Sequence, residues 1–377
     1  MRVVFCIYNF VDEKLPLQPW LTIHKVAEGL VKKGHEVHVV TDVMNPAKIT
    51  GITSHAVSSL RGSNKVEMRS MLEKLQPDAL VFLPTPLNIA TTSWLDGLNC
   101  RCVGFASYPF YNASELITAL KIIGWADAKQ YIRHLLVPRL YWARKMQRRI
   151  QVLVTQSNTT ASRLAEMLKN KLPVLCIPPG IDLNDWPVLE AKNKAQAKDI
   201  QLLYLGSAIS IRGFYLALDA LTQVANKNVR LKVLARGAHD EAIEEINNAI
   251  SIRGLNERVV VRGGWIERAE LVREIHRADA VLQPFVLVPS ELPVTAMEVI
   301  ACGTPVIGSN IDGLPSTIGA AGTVAKQGCS AALAEVIEDF AKDPELREKW
   351  QTGCEYQRNE MLDWDEVTDK WETILRG

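Results

Sequence analysis

Residues Val281–Ser309 read VLQPFVLVPSELPVTAMEVIACGTPVIGS, a segment that decides how the rest of the chain is to be understood. The apolar run Val281–Leu287 predicts a buried strand and the following Pro-Ser-Glu a turn. Thr295–Cys302 holds good helix formers, and Gly303-Thr304-Pro305 returns the chain to a second strand at Val306–Gly308. This order of strand, loop, helix and strand sets Glu291 and the backbone of Leu292, Pro293, Val294 and Thr295 at the mouth of a helix. Backbone N–H groups and the helix dipole favour a phosphate there. Glu298 lies within about two turns of Glu291 and reaches the same mouth.

The same grammar extends upstream. A strand at Gln201–Leu205 leads through Gly206-Ser207 to Arg212-Gly213 and a helix over Phe214–Val224. A guanidinium at a helix start is unfavourable unless an anion accompanies it, and its donor fork matches phosphate oxygens. Strand Arg230–Leu234 runs into Ala235-Arg236-Gly237, and strand Val259–Val261 into Arg262-Gly263-Gly264-Trp265. Trp265 reads equally as a cover for a bound ring or as core.

The first half repeats the alternation of strands and helices. RVVFCIY at Arg2–Tyr8 is followed by a helix over Leu21–Lys33, a stop at Gly34 and a strand at Glu36–Thr41. Further strands are expected at Ala79–Leu83, Cys102–Phe105, Val152–Thr155 and Val174–Ile177, so a doubly wound parallel sheet is the predicted architecture. The polar stretch Leu183–Asp199 reads as a linker, and Trp364, Val367, Trp371 and Leu375 recur at helical spacing near the end.

With 377 residues, 47% hydrophobic and 23% charged, the chain can bury large cores in two or three domains. Its apolar runs are too short to span a bilayer and the N-terminus shows no cleavable signal pattern, so a cytoplasmic protein is expected. The seven cysteines lack the paired spacing of zinc sites and read as reduced thiols. A net charge of +1 conceals an asymmetry: Lys and Arg outnumber Asp and Glu 22 to 14 in residues 1–188, and are outnumbered 21 to 28 thereafter. The basic half is compatible with an anionic acceptor, an anionic lipid surface or nucleic acid.

Much of the positive charge sits in DAKQYIRHLLVPRLYWARKMQRRIQ, residues 127–151. Lys129, Arg133, Arg139, Arg144, Lys145, Arg148 and Arg149 alternate there with Tyr131, Tyr141 and Trp142. Two readings stand: contact with an anionic membrane surface or acceptor through 129–149, or a solvated helix face whose aromatics pack inward. Pro138 is expected to end one helix and begin another.

These residues resemble retaining glycosyltransferases of the GT-B fold, in particular glycosyltransferase family 4, also called group 1. Met297–Ile307, MEVIACGTPVI, is close to the family's EAMACGTPVI helix, VAEGLVKKGHEVHVVT to its first βαβ unit, and Ile177–Asp182 to its PNGID turn. The resemblance implies two Rossmann-like doubly wound domains facing a central cleft: residues 1–185 on the acceptor side, 186–360 binding the nucleotide sugar, and 361–377 as a C-terminal helix crossing back to the first domain. It implies transfer of a sugar from a nucleotide diphosphate sugar to a saccharide or lipid-linked acceptor in glycan or glycolipid biosynthesis, with retention, without a metal or other cofactor and without nucleic acid. Such a protein would be cytoplasmic, at most peripheral on the cytoplasmic membrane face.

Carried over residue by residue, the family pattern gives Glu291 and Arg212 to the transferring centre. Glu298, Ser290, Leu292, Pro293, Val294, Thr295, Gly206, Ser207, Arg236, Gly264 and Trp265 go to donor binding. The chain departs from the pattern in four places. Six residues rather than seven separate Glu291 from Glu298, so the family spacing falls on Ser290. Ser207 replaces a basic residue, the loop Asn9–Trp20 lacks the usual glycine pair, and Phe105–Pro109 lacks the usual His. These departures keep two alternatives in view: another enzyme on this fold, such as a nucleotide-sugar hydrolase, an epimerase or a non-glycosidic coupling enzyme, or a non-catalytic nucleotide-sugar-binding protein.

Overall fold

The computed structural model describes every residue except 61–64, 86–87, 89–91, 133–137, 190–198 and 289. The chain divides into two compact units, one of Met1–Phe110, Lys129–Gly180 and Leu362–Gly377, the other of Tyr111–Ala128 and Ile181–Met361.

In the first unit, unbroken apolar runs become strands covered on both faces. These are β1 (Arg2–Cys6), β2 (Glu36–Thr41), β3 (Ile52–Ala56), β4 (Ala79–Phe82), β5 (Arg101–Phe105), β6 (Val152–Thr155) and β7 (Val174–Cys176), in the order β3-β2-β1-β4-β5-β6-β7. All pairings are parallel, Val3 standing opposite Val37 and Ala79. The period of two divides each strand between cores. Val3, Phe5, Val37, Val39, Val103 and Phe105 face one cluster, whereas Val4, Cys6, Val40, Leu80, Phe82 and Cys102 face the other.

The first of these clusters is covered by the helix Trp20–Lys32 and the C-terminal helix Trp364–Arg376, which contributes Val367, Trp371, Ile374 and Leu375. A capping box opens the C-terminal helix: Glu366 N donates to Asp363 Oδ1 at 2.7 Å and Asp363 N to Glu366 Oε2 at 2.9 Å. Trp371 meets Phe105 edge-on at 5.3 Å. The two helices touch at Gly29, where a Cβ would stand 2.3 Å from Thr368 Oγ1.

The second unit repeats the plan with β8 (Ile200–Leu205), β9 (Val229–Arg236), β10 (Val259–Gly264), β11 (Ala280–Gln283), β12 (Val306–Ser309) and β13 (Gly322–Ala325), in the order β10-β9-β8-β11-β12-β13. Strand order therefore reverses between β8 and β11, and in the first unit between β1 and β4. Open α/β sheets bind ligands outside the carboxyl ends of strands at such a reversal. The doubly wound sheets expected from the alternation are thus present, as are the Rossmann-like pair and the C-terminal helix on the first unit that the family resemblance implies.

Several boundaries differ from the sequence reading. β11 stops at Gln283, because Pro284 follows and has no N–H to extend the ladder. The edge strands β3 (ITSHA) and β13 (GTVA) escape notice because they are polar or short. Of the stretch read as a linker, 190–198 lies outside the described residues, while Trp186 is buried in the second unit and its carbonyl accepts from Arg358 Nη1 at 2.8 Å. Among the described residues, no helix is long and apolar enough to cross a membrane.

Candidate functional site

At the reversal point of the second sheet, the loop after β8 carries Gly206, Ser207 and Arg212, and the loop after β11 carries Ser290 and Glu291. The two loops are joined: Val286 N and Leu287 N both donate to Ile211 O, at 3.0 and 3.2 Å. Residues Ser210–Arg212 form a single 3-10 turn, and Gly213, left-handed at φ 74°, begins the helix Phe214–Gln223. Arg212 thus sits immediately before a helix N-terminus. Its guanidinium lies 5.9 Å from the centroid of the Phe285 ring and against Gly206, which has a φ of 124°. Tyr204 Oη donates to Ser207 O at 2.9 Å, tying the loop to its strand.

The helix expected at Thr295–Cys302 runs from Val294 to Ala301, and Pro293 precedes it without a side-chain cap. Pro293 has no N–H, so the amides available at this mouth are those of its neighbours, not the unbroken row from Leu292 to Thr295. Ala296 N already donates to Pro293 O at 2.9 Å. Glu291 is wholly buried, and its carbonyl accepts from Gly313 N at 3.2 Å, anchoring the loop to the one after β12. Ser290 is part-buried and its hydroxyl donates to Leu292 O at 3.3 Å; Pro289 lies outside the described residues. Farther out, Tyr111 Oη accepts from Val288 N at 2.8 Å and donates to Val288 O at 2.5 Å.

Glu298 stands one turn into the helix. Burial pushes its carboxyl up to about 7, while Arg236 and Arg268 act in the opposite direction. Arg236 is the last residue of β9 rather than part of the following loop, and its guanidinium lies 5.7 Å from the Trp265 ring centroid. Gly264 likewise closes β10, with φ 86°. Trp265 is 75% exposed, which removes the core reading for this ring. Its indole N–H donates to Glu267 Oε1 at 3.1 Å.

Among the described residues, neither Arg212 nor Arg236 has a carboxylate within ion-pair distance. Among the described residues, two guanidinium groups therefore stand at the carboxyl edge of β8 and β9 without an ion-paired carboxylate, Arg236 acting on Glu298 only through its field. Arg268 was not singled out in the sequence. It pairs with Asp185 at 2.5 Å and lies 6.0 Å from the Trp186 ring centroid, and no local pattern reveals that it reaches the field of Glu298. Among the described residues, no group of three or more His, Cys, Asp or Glu is arranged to hold a metal.

The basic stretch of the first unit divides in two. Arg149 is turned inward, its guanidinium forked on Asp96 at 2.7 and 3.1 Å and on Thr92 Oγ1 at 3.0 Å, so it does not belong to a surface contact. Trp142 and Tyr131 are buried. Leu140, Tyr141, Arg144 and Arg148 are exposed on the helix Arg139–Arg149, with Lys145 Nζ 5.6 Å from the Tyr141 ring centroid. Arg133 and His134 lie outside the described residues, as does the Arg139 side chain.

Comparison with known proteins finds two matching families. Residues 21–185 match the family described as Glycosyltransferase Family 4, and residues 187–354 match Glycosyl transferases group 1. Glycogen synthase of Mycobacterium tuberculosis is 27% identical over 220 residues, 57% of this chain and 51% of that protein. D-inositol 3-phosphate glycosyltransferase of an Arthrobacter species is 28% identical over 180 residues, 45% and 42% respectively. The chain spans about half the length of the curated relatives it matches. Among solved structures, sucrose-phosphate synthase of Thermosynechococcus elongatus superposes with a TM-score of 0.76 at 15% identity, covering 100% of this chain and 98% of that one. Anabaena HepE in complex with UDP gives 0.73 at 14%, covering 100% of both.

Proposed function

Because the chain belongs to glycosyltransferase family 4 (group 1), we propose that it transfers a sugar from a nucleoside diphosphate sugar to a saccharide or lipid-linked acceptor, with retention of configuration and without a metal ion. The observation that carries this reading is the pair of loops at the β8/β11 reversal. There Arg212, lacking a carboxylate partner among the described residues, meets a loop that ends in an uncapped helix. Likeness to a structure that holds UDP supports a nucleotide donor.

In this reading, breaking the glycosidic bond places positive charge on the sugar and additional negative charge on the leaving diphosphate. Arg212 and the first free amides of the helix Val294–Ala301 receive that negative charge as fixed donors, which need no reorganisation as the charge develops. Glu298 accepts the ribose hydroxyls, Glu291 holds sugar hydroxyls, and Trp265 covers the base beside Arg236. Ser207 leaves one diphosphate cation missing relative to the family, and Arg236, at the end of the neighbouring strand β9, offsets it. The exposed residues Leu140, Tyr141, Arg144 and Arg148, with the part-buried Lys145, are taken as the contact with an anionic membrane surface.

Product analysis with a panel of nucleotide sugars and acceptors tests the reading. Donor consumed only in the presence of acceptor, an unchanged anomeric configuration and insensitivity to chelator are expected. Donor hydrolysed without acceptor, or bound without turnover, would replace transfer by a hydrolase or a binding protein.

A further inference from the structure

The described residues of the first unit contain one close pair of thiols away from the donor site. The chain bends at Asn99 and Cys100 and enters β5 at Arg101, so Cys100 and Cys102 fall on the same side of the chain. Their sulfurs lie 3.8 Å apart, and Cys102 Sγ is also 3.7 Å from Cys100 O. Cys100 is partly exposed, whereas Cys102 is 2% exposed and packed with Cys6 in the core. Arg69 is held beside the bend: its Nη1 donates to Asp96 O at 2.6 Å and its Nη2 to Gly97 O at 3.1 Å.

We propose that Cys100 and Cys102 form a reactive dithiol, a modification site at which hydrogen peroxide or a related two-electron oxidant closes a disulfide between them. Cys100 is the nucleophile and Cys102 the resolving thiol. The Cys100 thiolate attacks one peroxide oxygen and the O–O bond breaks, giving Cys100 sulfenic acid and, after one proton is taken up, water. The Cys102 sulfur then attacks the sulfenic sulfur and the S–O bond breaks. The departing hydroxide takes the Cys102 proton, and a second water leaves. Two thiols are oxidised by two electrons and one peroxide is reduced.

The surroundings divide the roles in this order. Cys100 is held below the ordinary thiol value by the hydrogen bond to Cys102 and then by Arg69, against burial and Asp78. Cys102 is pushed up by its bond to Cys100 and by burial, and Cys6 by burial and by Cys100, so both remain protonated. Access follows the same order, because an oxidant reaches the partly exposed Cys100 before the buried Cys102. Residues two apart on an extended strand lie about 6.6 Å between Cα atoms, near the upper limit for a disulfide, and such a strained bond is readily reduced again.

The experiment uses the full chain, reduced and then treated with hydrogen peroxide. The expected result is loss of two of the seven thiols, reversed by dithiothreitol, with Cys100 and Cys102 joined on peptide mapping. Cys102→Ser then leaves a sulfenic acid at Cys100 that dimedone labels, and Cys100→Ser abolishes both label and disulfide. If serine at this buried position unfolds the chain, Cys102→Ala takes its place. Retention of all seven thiols, first oxidation at Cys176 or Cys329, or a disulfide between two chains each overturns the proposal.

Discussion

Arg212 and Gly206 are packed so closely that a Cβ on the glycine would stand 3.0 Å from Arg212 Nη1. The glycine also holds φ at 124°, a backbone state that side-chain-bearing residues rarely adopt. The bare Cα therefore decides where the guanidinium lies.

Arg212→Ala is expected to weaken nucleotide-sugar binding or turnover tenfold or more, roughly 1.4 kcal/mol, with Arg212→Lys falling between. Gly206→Ala should produce a loss of the same kind with Arg212 still present, since the new methyl displaces it. Donor titrations and steady-state kinetics on the three variants provide the check. Unchanged values in Arg212→Ala would remove the residue from the donor site.

Glu298 supplies a pH signature. Its carboxyl is raised to about 7 in the fold, so between about 4.5 and 7 the folded state holds the proton more tightly than the unfolded chain. Its contribution to stability is accordingly greatest at low pH and is lost as pH rises through about 7. Glu298→Gln is expected to melt above the wild type at pH 8, with the difference fading towards pH 5, while binding nucleotide sugar at least tenfold less tightly. Thermal melts across that range, with and without donor, separate the two effects, because a bound donor raises stability by mass action.

The C-terminal helix is fastened by Trp371 against Phe105 and by the Gly29–Thr368 contact. Trp371→Ala is expected to cost about 3–5 kcal/mol. Gly29→Val would force the helices apart, and pairing it with Thr368→Ala should recover part of the loss. Urea unfolding of the single and double variants measures the coupling; additive losses would mean that the contact is not the one under strain.

On the basic helix, charge reversal at Arg144, Lys145 and Arg148 is expected to abolish flotation with anionic vesicles while leaving the melting temperature within a few degrees of wild type. Arg149→Ala should do the opposite: it removes the fork on Asp96 and Thr92, costs about 2 kcal/mol of stability and leaves vesicle binding intact. Vesicle binding that is insensitive to salt, or absent in the wild type, would return this face to plain solvent exposure.

The alternation of apolar runs with helical periods was sufficient to indicate doubly wound parallel sheets, because the period of two and the period of 3.6 are local properties of the chain, while their division into two domains followed from the family resemblance. The segment VTAMEVIACGTPVI placed Glu298 on a helix for the same reason. What local pattern could not supply was direction and company. Arg149 and Arg148 are adjacent in sequence and equally basic, yet one is forked on Asp96 in the interior and the other faces solvent. Trp265 and Trp142 both lie within three residues of an arginine on either side, and one is exposed and the other buried. The influence of Arg236 and Arg268 on Glu298 depends on β9, the helix Arg268–Arg277 and the helix Val294–Ala301 meeting at one sheet edge. Residues about 30 to 60 positions apart along the chain are brought into one electrostatic field only by the parallel crossovers, and that field falls off over distances which sequence separation does not encode. The sequence thus determined which groups are available, and the tertiary structure decided which of them, among the described residues, lack an ion-paired carboxylate at the carboxyl ends of β8 and β9.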